Sequence, residues 1–308
     1  MIPSSFDYHR ANSKAAALQL LSRAGGEGRL LAGGHSLLPM MKLRMAAPSQ
    51  IIDISQLSEL KGIAINGSAI EIGAMTTQHE LIASDKLDEA CPIIGEAAEL
   101  IADPQVRYCG TLGGNVGNGD PGNDMPAVMQ CLDAVFVAES IKGTREIPAR
   151  AFYQGAYMTA LGEGEMITKI SFSAPPKGHG YAYKKLKRKV GDYATAAAAV
   201  ILEISGGAVR RASIALTNVA DTPLYAKDAA ARLIGTTLQP ADIDAAVAAA
   251  EAIANPTPDG RGSAEYRTKM AGVMVRRALI EAASRARDAG DIEETKGERG
   301  GLFKWLRG

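Results

Sequence analysis

The sequence predicts an α+β protein built from two α/β segments and a C-terminal three-stranded antiparallel sheet with a helical bundle. Three observations predict it. Short apolar runs are interleaved with helical periodicity through residues 1–177, and Pro175-Pro176 with Gly178 then breaks the pattern. Beyond the break, three strand-like runs come first and three helical stretches follow. At 308 residues the chain exceeds what one hydrophobic core usually organises, which favours several subdomains.

The first segment covers about residues 1–55. Ser13 is placed to cap a helix through Ala24, with Leu18 and Leu21 on its apolar face and Gly25-Gly26 ending it. Leu30-Leu31 reads as a buried strand, and residues 51–54 as a strand beside it. The second segment, 56–177, opens with strands at 62–65 and 69–73 joined by Asn66-Gly67, a hairpin turn signal. Helices are predicted over 78–82, 93–101 and 127–132, and strands over 134–137 and 166–172. Between them lies a turn-rich passage, 110–126, long enough to suggest a functional loop. The third segment, 178–287, has predicted strands at 181–189, 195–204 and 208–217, then helices at 226–234, 241–254 and 264–287. The charged, glycine-rich tail 288–308 is expected to be flexible.

Composition narrows the function. Lys+Arg and Asp+Glu balance at 34 each and aromatics make up 5%, which argues against a nucleic-acid surface. Cys91, Cys109 and Cys131 are widely spaced, and His9, His35, His79 and His179 are scattered, so neither a disulfide framework nor a metal centre is expected. No apolar stretch reaches membrane-spanning length, and the N-terminus lacks the apolar core of a secretory signal. A cytoplasmic protein is expected.

Three stretches could carry chemistry. Ala32-Gly33-Gly34-His35-Ser36 follows a strand, and adjacent glycines let an anion approach main-chain N–H groups. It is not a GxGxxG fingerprint, and an ordinary tight turn is an equal reading. Thr111-Leu112-Gly113-Gly114-Asn115 is a second Gly-Gly pair among small polar residues, and Asp124 beyond it is either a ribose or ribityl acceptor or a helix N-cap. Two such loops fit a diphosphate gripped from both sides. The basic run from Lys184 to Lys189 is either a solvated face or the source of one lysine beside a flavin or phosphate. Strand alternation sends Lys184 and Arg188 to one face and Lys185, Lys187 and Lys189 to the other. Tyr193 reads as packing or as a shield over a cofactor. Cys109 reads best as a buried structural thiol.

AGGHSLLPMMKLR followed by TLGGNVGNGDPGNDMPA resembles the FAD-binding subunits of molybdenum hydroxylases, which have the PCMH/vanillyl-alcohol-oxidase type of flavin fold. FDYHR, GAMTTQHELI, YQGAY, GHGYAYKKLKRKVGDYATAAAAV and LTNVADTPL are similar to the medium subunits of aerobic carbon monoxide dehydrogenases. The resemblance runs from Met1 to about Arg287. It implies a PCMH-type domain over 1–177 and a flavoprotein C-terminal domain over 178–287.

It also implies FAD bound by Ala32, Gly33, Gly34, His35, Ser36, Thr111, Gly113, Gly114 and Asn115 at the diphosphate. Asp124 would stand at FAD hydroxyls, Ile101 and Met166 as apolar neighbours, Lys184 in contact, and Tyr193 beside the isoalloxazine. Tyr108-Cys109 departs from the Asn-Arg often seen before TxGGN in the wider family. The resemblance places the molybdopterin cofactor on a large partner and two [2Fe–2S] clusters on a small one, in a dimer of heterotrimers. Electrons would leave through FAD to a quinone, with peripheral association at the inner membrane face. Rival readings are the FAD subunit of a xanthine- or aldehyde-type enzyme, a stand-alone FAD oxidoreductase, and a non-catalytic nucleotide-binding protein.

Overall fold

The computed structural model describes residues 2–305, with side chains through residue 286. Three main sheets organise the described residues. In the first, Gln50–Asp53 lies between Asp7–Arg10 and Gly28–Leu31, all parallel. The outer strand Asp7–Arg10 is mostly exposed and carries no hydrophobic run, so the sequence holds no strand signal there. Helix Lys14–Ala24 covers this sheet, with Ser13 Oγ accepting the Ala16 N–H at 3.1 Å and Gly25 leaving the helix at φ 56°. Leu18 and Leu21 pack onto Ile52 and Ile54 as their spacing predicts.

The second sheet is antiparallel and five-stranded, in the order Ile63–Asn66, Ala69–Gly73, Met166–Ser173, Val135–Ser140, Gly143–Pro148. Ile70, Ile72, Phe136 and Ile170 alternate inward, and helices Ile93–Glu99 and Met125–Cys131 close over them. The passage 110–126 is not wholly loop. Leu112–Gly117 is a helix capped by Thr111, and Leu37–Lys42 is another after the first glycine segment. The glycines of Leu112–Gly117 hide its helix from propensity, and the Thr111 cap and the Gly113 bond to Ala74 O decide it. In Leu37–Lys42 the helix signal is masked by Pro39 and by the absence of a side-chain cap at Ser36.

The third sheet runs Gly180–Leu186, Ala196–Ser205, Ala208–Thr217, all antiparallel, with a two-residue strand Leu224–Tyr225 added at its edge. Its central strand explains why AAAAVIL shows no polar alternation. Ala197, Ala199 and Ile201 face the second segment, while Ala196, Ala198, Val200 and Leu202 face helices Pro240–Ile253 and Ala264–Trp305. Small side chains let the long helix approach closely: a Cβ on Gly180 would lie 1.8 Å from the Ala282 carbonyl oxygen. That helix is continuous past residue 287, where the sequence suggested its end. The expectation for 288–308 otherwise falls outside the residues whose side chains are described.

Lys14 ties the first segment to the second through Glu139, with Nζ–O distances of 3.1 and 2.9 Å, and Thr168 Oγ1 donates to the same carboxylate at 2.8 Å. Burial works to raise the Glu139 carboxyl, but Lys14 and Thr168 outweigh it and hold it below its ordinary value. A depressed folded pKa stabilises above the unfolded value and is lost as pH falls through the folded one. Glu139→Gln is therefore expected to lower stability at pH 7 by about 1 kcal/mol or less. The loss should begin to shrink as pH falls below the unfolded glutamate value of about 4.3 and vanish once the folded carboxyl is also protonated, as urea unfolding across pH would report.

Candidate functional site

One large cavity, about 810 Å³, opens where the three segments meet. That volume lies within the roughly 300–1,000 Å³ of cofactor sites. Ala32, Gly33, Gly34, His35 and Ser36 line it together with Ile101, Thr111, Gly113, Gly114, Asn115, Asp124, Met166 and Tyr193. The two glycine segments, separated by some eighty residues, are packed backbone to backbone. A Cβ on Gly33 would lie 2.1 Å from the Cys109 carbonyl oxygen and 2.9 Å from Gly110 Cα.

The segments offer different things. Among the described residues, the N–H groups of Gly33, Gly34, His35 and Ser36 have no protein acceptor. Gly34 has φ 75°, and the Ser36 hydroxyl does not cap the following helix. This is a cradle of open donors for an anion. The second segment differs from the sequence expectation of two matching grips. Gly113 N–H donates to Ala74 O at 2.8 Å and Gly114 N–H to Thr111 Oγ1 at 3.0 Å. Its glycines instead allow close approach: a Cβ on Gly113 would meet Ala74 O at 2.7 Å. Asn115 Oδ1 accepts the Met125 N–H at 3.2 Å, and its carbonyl accepts Asn123 Nδ2 at 2.7 Å. Asn115 thus braces the cavity floor.

Asp124 sits at the N-cap position of Met125–Cys131 but makes no side-chain cap hydrogen bond. Its carboxylate is buried against the third segment: Tyr183 donates to Oδ1 at 2.6 Å and Lys185 Nζ lies 2.8 Å from Oδ2. Both side chains of the ion pair are nearly sealed, at 4% and 1% exposure. Lys185 also donates to Leu100 O at 3.1 Å, and the Tyr183 oxygen, its proton given to Asp124, accepts from Thr217 Oγ1 at 3.2 Å. Burial pushes the Asp124 carboxyl up, opposed by Lys185 and Tyr183. Each oxygen keeps lone-pair capacity for a further donor from the cavity.

Lys184 is the one sequence candidate that does not line the cavity. It pairs with Glu281 on the long helix, and Lys185 takes the place at Asp124. Alternation correctly separates the two lysines onto opposite faces, but only packing decides which face meets the site. Tyr193 is 42% exposed at the cavity mouth, its ring against Gly122 and its hydroxyl near Asp120, where Tyr157 also donates at 3.1 Å. Cys109 is exposed, contrary to expectation, and contributes its carbonyl rather than its thiol. Sequence reasoning missed Gln78, Lys185, Tyr157 and Tyr183. The signal for Lys185 was present in the basic run; Gln78 and Tyr183 had none beyond an ordinary helix start and strand.

The chain matches two family models: the FAD-binding domain in molybdopterin dehydrogenase over residues 4–175, and the CO dehydrogenase flavoprotein C-terminal domain over residues 181–282. The chain belongs to the FAD-binding flavoprotein subunits of the molybdopterin dehydrogenases. It is 58% identical over 288 residues to the carbon monoxide dehydrogenase medium chain of Afipia carboxidovorans, covering 94% of this chain and 100% of that one. It is 49% identical to the medium chain of Hydrogenophaga pseudoflava, over 92% and 99% of the two chains. A solved structure of reconstituted CO dehydrogenase from Oligotropha carboxidovorans superposes with a TM-score of 0.92 at 58% identity, covering 92% of this chain and all of that one.

FAD is the cofactor of this family, and the cavity fits it. Open N–H donors suit a diphosphate, a buried carboxylate suits hydroxyl or N–H donors, and Ile101, Met166 and Ile167 suit flat apolar rings. Among the described residues no helix is long and apolar enough to cross a membrane, and no group of His, Cys, Asp or Glu is placed to hold a metal.

Proposed function

We propose that this chain is the FAD subunit of a molybdenum-dependent carbon monoxide dehydrogenase. The supporting observation is that both glycine segments converge on one cavity in a chain matching two carbon monoxide dehydrogenase medium chains over nearly its full length. In this reading the substrate is oxidised on a large molybdopterin-binding partner, and a small [2Fe–2S] partner passes electrons to this chain.

Bound FAD supplies the ability to take electrons singly and release them in pairs. The protein's own residues bind, orient and exclude water. The Gly33 to Ser36 N–H groups hold the diphosphate, with Ala32 and Thr111 at its flanks. Gly113, Gly114 and Asn115 let the second segment approach and brace it. Asp124, held by Lys185 and Tyr183, presents a fixed acceptor. Ile101 and Met166 supply dry walls, and Tyr193 stands at the mouth, where an external acceptor such as a quinone would approach.

Reconstitution tests the reading. The isolated chain should take up FAD with a bound-flavin spectrum and show no turnover with NAD(P)H. Co-expressed with both partner subunits, it should support CO-dependent reduction of a dye. NAD(P)H-driven turnover by the chain alone would sink the subunit reading. Dye reduction with a purine or aldehyde but not CO would move it to another branch of the same family.

A further inference from the structure

Gln78 carries an unusual burden for a buried residue. It is 1% exposed, and neither Nε2 nor Oε1 has a hydrogen-bond partner among the described residues. A carboxamide buried with both ends unpaired is strongly unfavourable, and native chains retain one where something else satisfies it.

Its position points to what that is. Gln78 opens helix Gln78–Ile82, whose start is held by a capping box between Thr77 and Glu80. Its own N–H donates to Gly110 O at 2.9 Å, and Thr77 bridges to Thr111. The residue is thereby fixed beside the second glycine segment, in the wall of the large cavity with Ile101 and Val106. Other buried orphan atoms differ. Gln130 still donates from Nε2 to Pro223 O at 3.2 Å, and neither Gln130 nor Tyr153 lines the cavity.

We propose that the Gln78 carboxamide reads a heteroaromatic edge of the bound cofactor, donating from Nε2 to a ring acceptor and accepting at Oε1 from an adjacent N–H. The proposal rests on the flavin reading of the cavity. Adenine presents such a donor–acceptor pair, as glutamine contacts to adenine illustrate, and so does the pyrimidine half of isoalloxazine. Ile101 and Val106, which line the same cavity, offer apolar surface to a ring face.

This arrangement predicts effects of opposite sign on the empty and loaded protein. Gln78→Met keeps the volume and removes both polar atoms. In the full chain stripped of flavin, its melting temperature should equal or exceed that of the unsubstituted chain, because an unpaired amide has been removed. FAD affinity, read by fluorescence titration, should fall roughly ten- to a hundred-fold. Parallel titrations with ADP and with riboflavin distinguish the two ring systems: the one whose binding weakens carries the edge that Gln78 meets. Unchanged FAD affinity would overturn the proposal. So would a matching drop in apoprotein melting temperature, which would mean that the amide serves the fold. Failure of the unsubstituted chain to bind FAD would be visible before any variant is compared, and would remove the flavin reading itself.

Discussion

Lys185→Met is expected to destabilise the folded chain by about 3–5 kcal/mol and to abolish stable FAD retention. Lys185 and Asp124 form a nearly sealed ion pair, so removing the lysine leaves a carboxylate facing a low-dielectric interior with Tyr183 as its remaining charge-stabilising donor. The carboxyl is already pushed up by burial and would rise further without the ammonium. The sign of the pH dependence follows. An acid whose folded pKa is raised destabilises above its unfolded value of about 3.9 and recovers as pH falls and the folded group protonates. The variant should therefore gain stability relative to the unsubstituted chain between neutral and mildly acid pH.

A double substitution, Lys185→Met with Asp124→Asn, should recover much of the loss, because the uncompensated charge is gone. Lys184→Met provides the contrast. Its pair with Glu281 is about one-third exposed, and its removal should change stability by no more than about 1 kcal/mol and leave FAD bound. Equal effects of the two lysine substitutions in urea unfolding would contradict this account of the site.

Gly33→Val should yield a chain that folds less stably by about 1–3 kcal/mol or more, with FAD occupancy reduced at least tenfold. The added Cβ would meet the Cys109 carbonyl carbon and oxygen and Gly110 Cα, all main-chain atoms that cannot rotate aside. Relieving the clash must separate the two glycine segments, which moves the open N–H cradle away from Thr111 and Asn115. Gly95→Ala is the control, since its Cβ would meet only Asp88 Oδ1 at 3.8 Å. That substitution lies on helix Ile93–Glu99, where alanine should be neutral or stabilising by up to about 1 kcal/mol. Flavin-to-protein absorbance ratios of the purified variants check both expectations. A full flavin content in folded Gly33→Val would show that the two segments need not touch to hold the cofactor.

Much of this molecule is legible in its residues because the signals are local. Ser13 caps its helix, Asn66-Gly67 turns its hairpin, and residues 78–82 are helical as read. The two glycine segments both line the large cavity, and the longer stretches that hold them belong to the matched family domain. Local signals also misled. Thr111 to Asn115 looks like a second anion cradle, but capping by Thr111 and the Ala74 carbonyl consume the N–H groups of Gly114 and Gly113. Asp124 looks like a helix cap, yet Tyr183 and Lys185 from a strand some sixty residues away claim its carboxylate.

The sequence by itself determined the segment order, most of the elements, the glycine segments that come to line one cavity and the separation of Lys184 from Lys185 onto opposite faces. Tertiary structure alone decided which of those faces meets Asp124, which main-chain donors remain open among the described residues, that Cys109 is exposed, and that the buried Gln78 carboxamide has no hydrogen-bond partner among them. The division has a physical cause. Period, capping and turn geometry are properties of neighbouring residues. The phase of a strand and the partners of a donor are set by chain segments that approach only when the cores close.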